Sequence, residues 1–270
     1  MYKLVSIDVD GTLLDNNFKI HKSNEIAIKR ALDMGVRVIL NSGRSYKSLA
    51  KISESLGIRD YVIAFNGSIV YDLAKKECIK QDEMDSNIAI EALAKIEESG
   101  IYAEPIVYKE SDSVIMKYDS VHMRKYIEVS LIKADFRHDI IAAVKELPGS
   151  LNKLILIGET ENLIKLRQIL AGEFVGRANI LFSASYMLEI MPPLASKAKG
   201  LDWLAQKLGI QAEEIITIGD NYNDLSMIEY AGMGCAVGNA VRELKKAADY
   251  VTQRSAGEGA VAEVIERFVL

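Results

Sequence analysis

Apolar residues along the chain fall into two arrangements. Residues 4–9, 36–41 and 61–65 are continuous apolar runs rich in β-branched or aromatic side chains, as strands buried on both faces are. Between them, residues 23–34 and 46–56 carry apolar positions at spacings of three and four, which predicts helices with one buried face. Gly35 and Gly57 follow directly, where helix C-terminal caps sit. Strand–helix alternation with such strands predicts an α/β fold with a doubly wound parallel, Rossmann-like sheet.

The same rhythm returns at the far end. Residues 197–208 read as a helix closed by Gly209, 214–218 as a strand and 224–231 as a helix. Short strands follow at 234–237 and 249–252, then a last helix at 259–268. The middle differs. Helices are expected at 87–98, 123–133, 139–146 and 161–171, with strands at 102–107, 114–117, 153–157 and 179–183. Helix–strand–strand units of this kind predict a separate α+β layer. The chain therefore reads as a core of residues 1–82 and 188–270 interrupted by an inserted α+β domain of residues 83–187, with Pro192-Pro193 marking the return.

Composition narrows the class. The 270 residues are 49% hydrophobic and 26% charged, enough for a large core and two domains. A net charge of −5 argues against a nucleic-acid partner, which calls for a basic face. Cys78 and Cys235 are too few and too far apart for a disulfide framework or a zinc site, as expected of thiols in a reducing cytoplasm. No apolar run approaches the roughly 20 residues of a membrane span and no signal-peptide pattern opens the chain, so a cytoplasmic protein with no membrane partner is expected.

Against this ordinary background the charges at 8–12 stand out. Asp8 and Asp10 close a buried strand, where like charges repel and burial is costly. They either decorate a solvated turn or hold something positive. Three further stretches, residues 41–44, the loop ending at Lys197 and 219–224, are expected at carboxyl ends of core strands, which converge on one crevice in open α/β sheets. Asp8, Asp10 and Asp220 concentrate negative charge that a hard cation would make tolerable, and few oxygens with room for water suit Mg²⁺. An EF-hand fails on spacing, because the twelfth position from Asp8 is Lys19. Ser42 and Gly43, at an expected helix N-terminus, offer a hydroxyl and backbone N–H groups to an anion, and Lys197 adds a full positive charge. These are the parts phosphoryl transfer needs.

The DVDGT run, the NSGR run, a lysine shortly before a helix and GDNYND together resemble the four motifs of the haloacid dehalogenase superfamily. The late stretch GDNYNDLSMIEYAGMGCAVGNA and the size and position of the insert are similar to the Cof-type, class IIB sugar phosphatases. The resemblance implies an Mg²⁺-dependent phosphatase acting on small phosphorylated metabolites, with the insert as its cap. It implies Asp8 as the nucleophile that forms an aspartyl-phosphate, and Asp10 as the acid and then the base. The metal would be held by the carboxylates of Asp8 and Asp220 and the backbone carbonyl of Asp10. Ser42, Gly43, Asn223 and Lys197 would bind phosphate oxygens, and Asp224 would buttress its loop. With Mg²⁺ and a lysine beside it, Asp8 is expected to have a depressed pKa.

The family usually shows Lys-Gly, which points to Lys199, whereas the set distance to Leu208-Gly209-Ile210 favours Lys197. Lys197 is the choice made on that spacing. Serine at 42, where threonine is common, keeps the hydroxyl. His21, His122 and His138 fall in no motif and read as structural, as do Trp203 and the insert's tyrosines. Arg44 can reach substrate or form a surface ion pair, and Asn66-Gly67 reads as a turn. A phosphomutase could use the same Asp8 chemistry with a similar insert, and a non-catalytic phosphosugar-binding regulator would keep the fold, although retention of Asp8, Asp10, Lys197 and Asp220 argues against it. Substrate identity and oligomeric state are not legible.

Overall fold

The computed structural model describes residues 1–270 except 110, 111, 131 and 148, without the side chains of His122, Lys125 and Val129. The chain forms two compact units, Met1–Lys80 with Ser196–Leu270, and Gln81–Ala195.

The first unit is built on an eight-stranded sheet in the order Tyr250–Val251, Met233–Ala236, Ile215–Gly219, Leu4–Ile7, Arg37–Asn41, Tyr61–Ala64, Ile69–Asp72, Glu77–Gln81. Its first six strands pair in parallel. Leu4–Ile7 is wholly buried at the centre, and each such aliphatic side chain taken from water stabilises the fold by about 1.5–3 kcal/mol. Its register pairs Ile7 with Leu40 on one side and Ile218 on the other, so three strands finish level at their carboxyl ends. Chain order reverses at this strand, the position where open α/β sheets leave a crevice. The helix Lys197–Leu208 supplies Leu201, Leu204 and Ala205 to a core shared with Leu4, Ile39, Ile63 and Ile215. Helix Lys22–Asp33 packs with Ala260–Phe268. The Rossmann-like α/β core is as expected from the patterning.

Two strands of this unit lay outside the expected set. Ile69–Asp72 turns back antiparallel to Tyr61–Ala64, and Glu77–Gln81 lies beyond it at the sheet edge. Exposure of the edge strand is why its apolar signal was weak.

In the second unit a six-stranded sheet runs in the order Asn179–Ala184, Met187–Met191, Lys153–Ile157, Glu104–Tyr108, Ser113–Met116, Lys133–Phe136. Helices Ser86–Ser99, Ile140–Lys145 and Thr160–Glu173 bury Ile88, Val144 and Leu166 with Leu154, Val107 and Leu188 of the sheet. This is an α+β layer. The helix expected at 123–133 is Val121–Ser130, and Lys133–Phe136 is a strand parallel to Ser113–Met116. At the other end Met187–Met191 pairs with both Lys153–Ile157 and Asn179–Ala184, so the unit runs on to Ala195, past residue 187. Among the described residues, no helix is long and apolar enough to cross a membrane.

Candidate active site

The strand Leu4–Ile7 hands directly to Asp8, whose N–H donates to the Ile218 carbonyl at 2.9 Å, locking the start of the loop to the neighbouring strand. Asp8 is 5% exposed. Gly11 has a φ of +85°, and a Cβ there would lie 2.5 Å from Asp220 Oδ2. Glycine at this position therefore lets the 8–12 turn pass against Asp220. Thr12 then donates its hydroxyl to Asp220 Oδ1 at 2.8 Å, tying the two acidic loops together.

Lys197 is the first residue of its helix, capped by Ser196, and is fully buried. Its Nζ donates to Asp8 Oδ1 and, at 2.5 Å, to Asp224 Oδ1. Lys199 is exposed, and only its backbone N–H joins the cap, at 3.2 Å from Ser196 Oγ. Of the two lysines it is Lys197 that reaches Asp8, since two residues further along the helix the side chain has turned to the other face. Asp224 is fully buried; its Oδ2 accepts from the N–H groups of Asp220 (2.9 Å) and Asn221 (3.0 Å). It braces the loop and also serves as a second counter-ion to Lys197.

One ammonium thus faces three carboxylates. Carboxylate oxygens of Asp8, Asp220 and Asp224 lie within 4.8 Å of one another. Burial, reinforced by Asp224 and only partly offset by Lys197, holds the Asp8 carboxyl well above the usual carboxylate range. Burial and Asp224 likewise push Asp220 up to about 7. Desolvation alone would lower Lys197, but Asp224 and Asp8 outweigh it and keep the ammonium above its ordinary value. Lysine alone therefore does not depress the Asp8 pKa against burial and two acidic neighbours; the depression expected from the sequence requires the charge of a bound Mg²⁺ as well. An excess of buried negative oxygen ligands fits a hard divalent cation. Asp8 and Asp220 are the more available ligands, because Asp224 already accepts bonds at both oxygens.

A pH dependence follows. With its raised pKa values the metal-free fold holds protons on Asp8 and Asp220 that the unfolded chain releases near pH 4, so stability should fall as pH rises from about 4 through 7. Thermal unfolding in chelator is expected to give a lower midpoint at about pH 8 than at about pH 5, with Asp220→Asn flattening the difference. A metal-free midpoint that climbs with pH, unaffected by Asp220→Asn, would contradict the electrostatic picture.

Arg44 grips Asp10 with two bonds, Nε to Oδ2 at 2.7 Å and Nη2 to Oδ1 at 2.6 Å. Of the two roles open to Arg44, the structure shows an ion pair, with the arginine mostly buried and Asp10 half-exposed. Ser42 is buried, and its Oγ accepts from the Arg44 N–H at 3.3 Å. The helix beyond begins at Tyr46 with Ser45 as its N-cap, so Ser42 and Gly43 precede the helix terminus instead of forming it. The Lys197 loop also differs from expectation: it enters from Met187–Met191, a strand of the second unit, and not from a core strand.

The loop that does follow the third core strand is Phe65–Gly67. Its Asn66 Oδ1 accepts from Asn223 Nδ2 at 3.0 Å, connecting it to the GDNYND segment. The sequence signal was the Asn-Gly pair itself, read only as a turn. His21 caps helix Lys22–Asp33, His138 is exposed, and the His122 side chain lies outside the described residues.

The haloacid dehalogenase-like hydrolase family matches residues 5–265. Phosphatase YwpJ of Bacillus subtilis is 29% identical, over 93% of this chain and 94% of its own. HMP-PP phosphatase of Serratia proteamaculans is 28% identical, over 91% of this chain and 87% of its own. A crystal structure of a haloacid dehalogenase-like hydrolase from Bacteroides thetaiotaomicron superimposes with a TM-score of 0.85, at 29% identity over 99% of each chain. The chain belongs to the haloacid dehalogenase-like hydrolases, in the Cof-type branch to which its motifs point.

Proposed function

We propose that the chain is an Mg²⁺-dependent phosphatase of small phosphorylated metabolites, sugar phosphates foremost, working through an aspartyl-phosphate on Asp8. The observation that carries the reading is the buried Asp8–Lys197–Asp224 ion-pair chain, with Asp220 beside it, at the carboxyl ends of parallel strands. Phosphatase relatives of similar length support it.

Asp8, Asp220 and Lys197 have tasks that their surroundings suit, whereas Asp10 must leave its two-bond pair with Arg44 before it can carry a proton. Asp8 attacks phosphorus with one carboxylate oxygen while the ester P–O bond breaks, and Asp10 gives its proton to the leaving oxygen. Asp10 then takes a proton from the water that hydrolyses the acyl phosphate. Lys197 has three N–H donors; two hold Asp8 and Asp224, and the third is assigned to a phosphate oxygen. Ser42, Gly43 and Asn223 supply the remaining phosphate contacts. Asp8 and Asp220, with the Asp10 carbonyl, would hold Mg²⁺, whose charge offsets that of the carboxylates and of the transferring phosphoryl group. None of these groups grips an organic leaving group, and that selection is assigned to the inserted unit, Gln81–Ala195.

Incubation with a panel of phosphorylated metabolites should release inorganic phosphate with Mg²⁺, stop with chelator, and resume on re-addition of Mg²⁺. Ca²⁺, with its larger and less regular shell, should not substitute. An isomerised ester with little free phosphate would indicate a mutase, and tight binding without turnover a regulator.

A further inference from the structure

Phe65, Asn66 and Gly67 have φ values of +47°, +49° and +96°. Left-handed residues usually occur singly, and a bulky side chain such as Phe65 in that region is an outlier held by its surroundings. The surroundings here are the neighbouring site loops. The Phe65 N–H donates to Arg44 O at 3.0 Å and the Asn66 N–H to Ser42 O at 3.0 Å. Gly67 lies so close to the start of the Lys197 helix that a Cβ on it would be 1.9 Å from Ser196 O. Three of the loops assigned to phosphate thus meet at one strained turn: Ser42–Arg44, the Ser196–Lys197 helix start, and, through the Asn66 side chain, Asn223.

We propose that Asn66 is a positioning residue for the phosphate site, fixing the Asn223 amide against the Ser42 loop so that both address one anion. The inference rests on the assignment of Asn223 and Ser42 as phosphate ligands. Asn66 is fully buried, and its Oδ1 accepts from a residue 157 positions away in sequence. A turn that needed only left-handed backbone would be served at least as well by glycine. The side-chain amide does something glycine cannot. Asn223 Nδ2 carries two hydrogens; with one on Asn66, the other has a fixed direction. Without Asn66 the Asn223 amide can rotate away, and the ordering must be supplied by the bound phosphate itself.

The test uses the Mg²⁺-loaded enzyme, p-nitrophenyl phosphate as substrate and inorganic phosphate as competitive inhibitor. Asn66→Gly keeps the left-handed turn and removes only the amide. It should raise the phosphate inhibition constant and KM by about tenfold, the factor matching one hydrogen bond to a charged group. Asn223→Ala should weaken phosphate at least as much, and the double variant should be no worse than Asn223→Ala, because positioning has no purpose once its object is gone. An unchanged phosphate constant in Asn66→Gly would overturn the proposal, as would full additivity in the double variant. If Asn223→Ala itself leaves phosphate binding intact, the ligand assignment fails and the positioning role with it. Should the glycine variant not fold, Asn66→Ser, too short to reach Asn223, carries the same comparison.

Discussion

Asp8→Asn should fold and bind Mg²⁺ weakly, and should turn over no substrate. The amide is nearly isosteric with the carboxylate, and its oxygen still accepts from Lys197, so the buried geometry around Asp224 has no cause to shift. What is lost is the proposed nucleophile, because an amide oxygen does not form a stable acyl phosphate. Removing a side chain that acts as a covalent nucleophile can cost about 10⁶ in kcat. The stability consequence has the opposite sign to that of most core substitutions. Asp8 sits in the fold with its charged form disfavoured by burial and by Asp224, so replacing it with a neutral group relieves repulsion. The melting midpoint in chelator at about pH 8 is therefore expected to equal or exceed that of the wild type. Acid quenching after mixing with substrate should trap phosphoprotein in the wild type and none in the variant. A variant that keeps more than about a hundredth of the wild-type rate would remove Asp8 from the nucleophile role.

Much of this site was written in local sequence, and the part that was not has a common cause. Strand and helix periodicity placed Asp8 after Leu4–Ile7 and Asp220 after Ile215–Gly219, since those strands are buried on both faces and read as unbroken apolar runs. Helix length, a local property, was enough to choose Lys197 over Lys199. Features set by tertiary pairing were harder to read. Lys133–Phe136 is a half-exposed edge strand whose sequence continues a helical pattern, and only its pairing with Ser113–Met116 makes it a strand. Met187–Met191 carries Glu189 in mid-strand, a charge that interrupts the apolar run and is tolerated because Lys153 reaches it at 2.8 Å. The upward pull of Asp224 and Asp220 on the metal-free Asp8 carboxyl was hidden for the same reason, because their closeness is a distance in space. Asn66 belongs here too: Asn-Gly announces a turn, but nothing in the segment announces Asn223.

Lys197→Ala is the second substitution with a large expected effect, and it should cost both function and stability. Lys197 has no exposed surface and is the cation between Asp8 and Asp224. Removing one partner of a buried ion pair leaves the other charge uncompensated, at about 3–5 kcal/mol. Here Asp8 and Asp224 both lose their counter-ion, so each must stay buried as an unpaired charge or take up a proton. The midpoint of urea unfolding in chelator should fall clearly, and Mg²⁺ should recover part of the loss because the cation supplies the missing positive charge. Turnover should not recover with it, since the contact proposed to the phosphate oxygen goes with the ammonium. Lys197→Arg should also be poor: a planar guanidinium is larger than the ammonium it replaces in a site with no spare surface. Lys199→Ala is the control. Its side chain is exposed and only its backbone joins the helix cap, so unfolding midpoint and KM should match the wild type within error. Equal effects of the two alanine variants on KM, or the reverse ranking, would take Lys197 out of the phosphate site and leave it a structural ion pair.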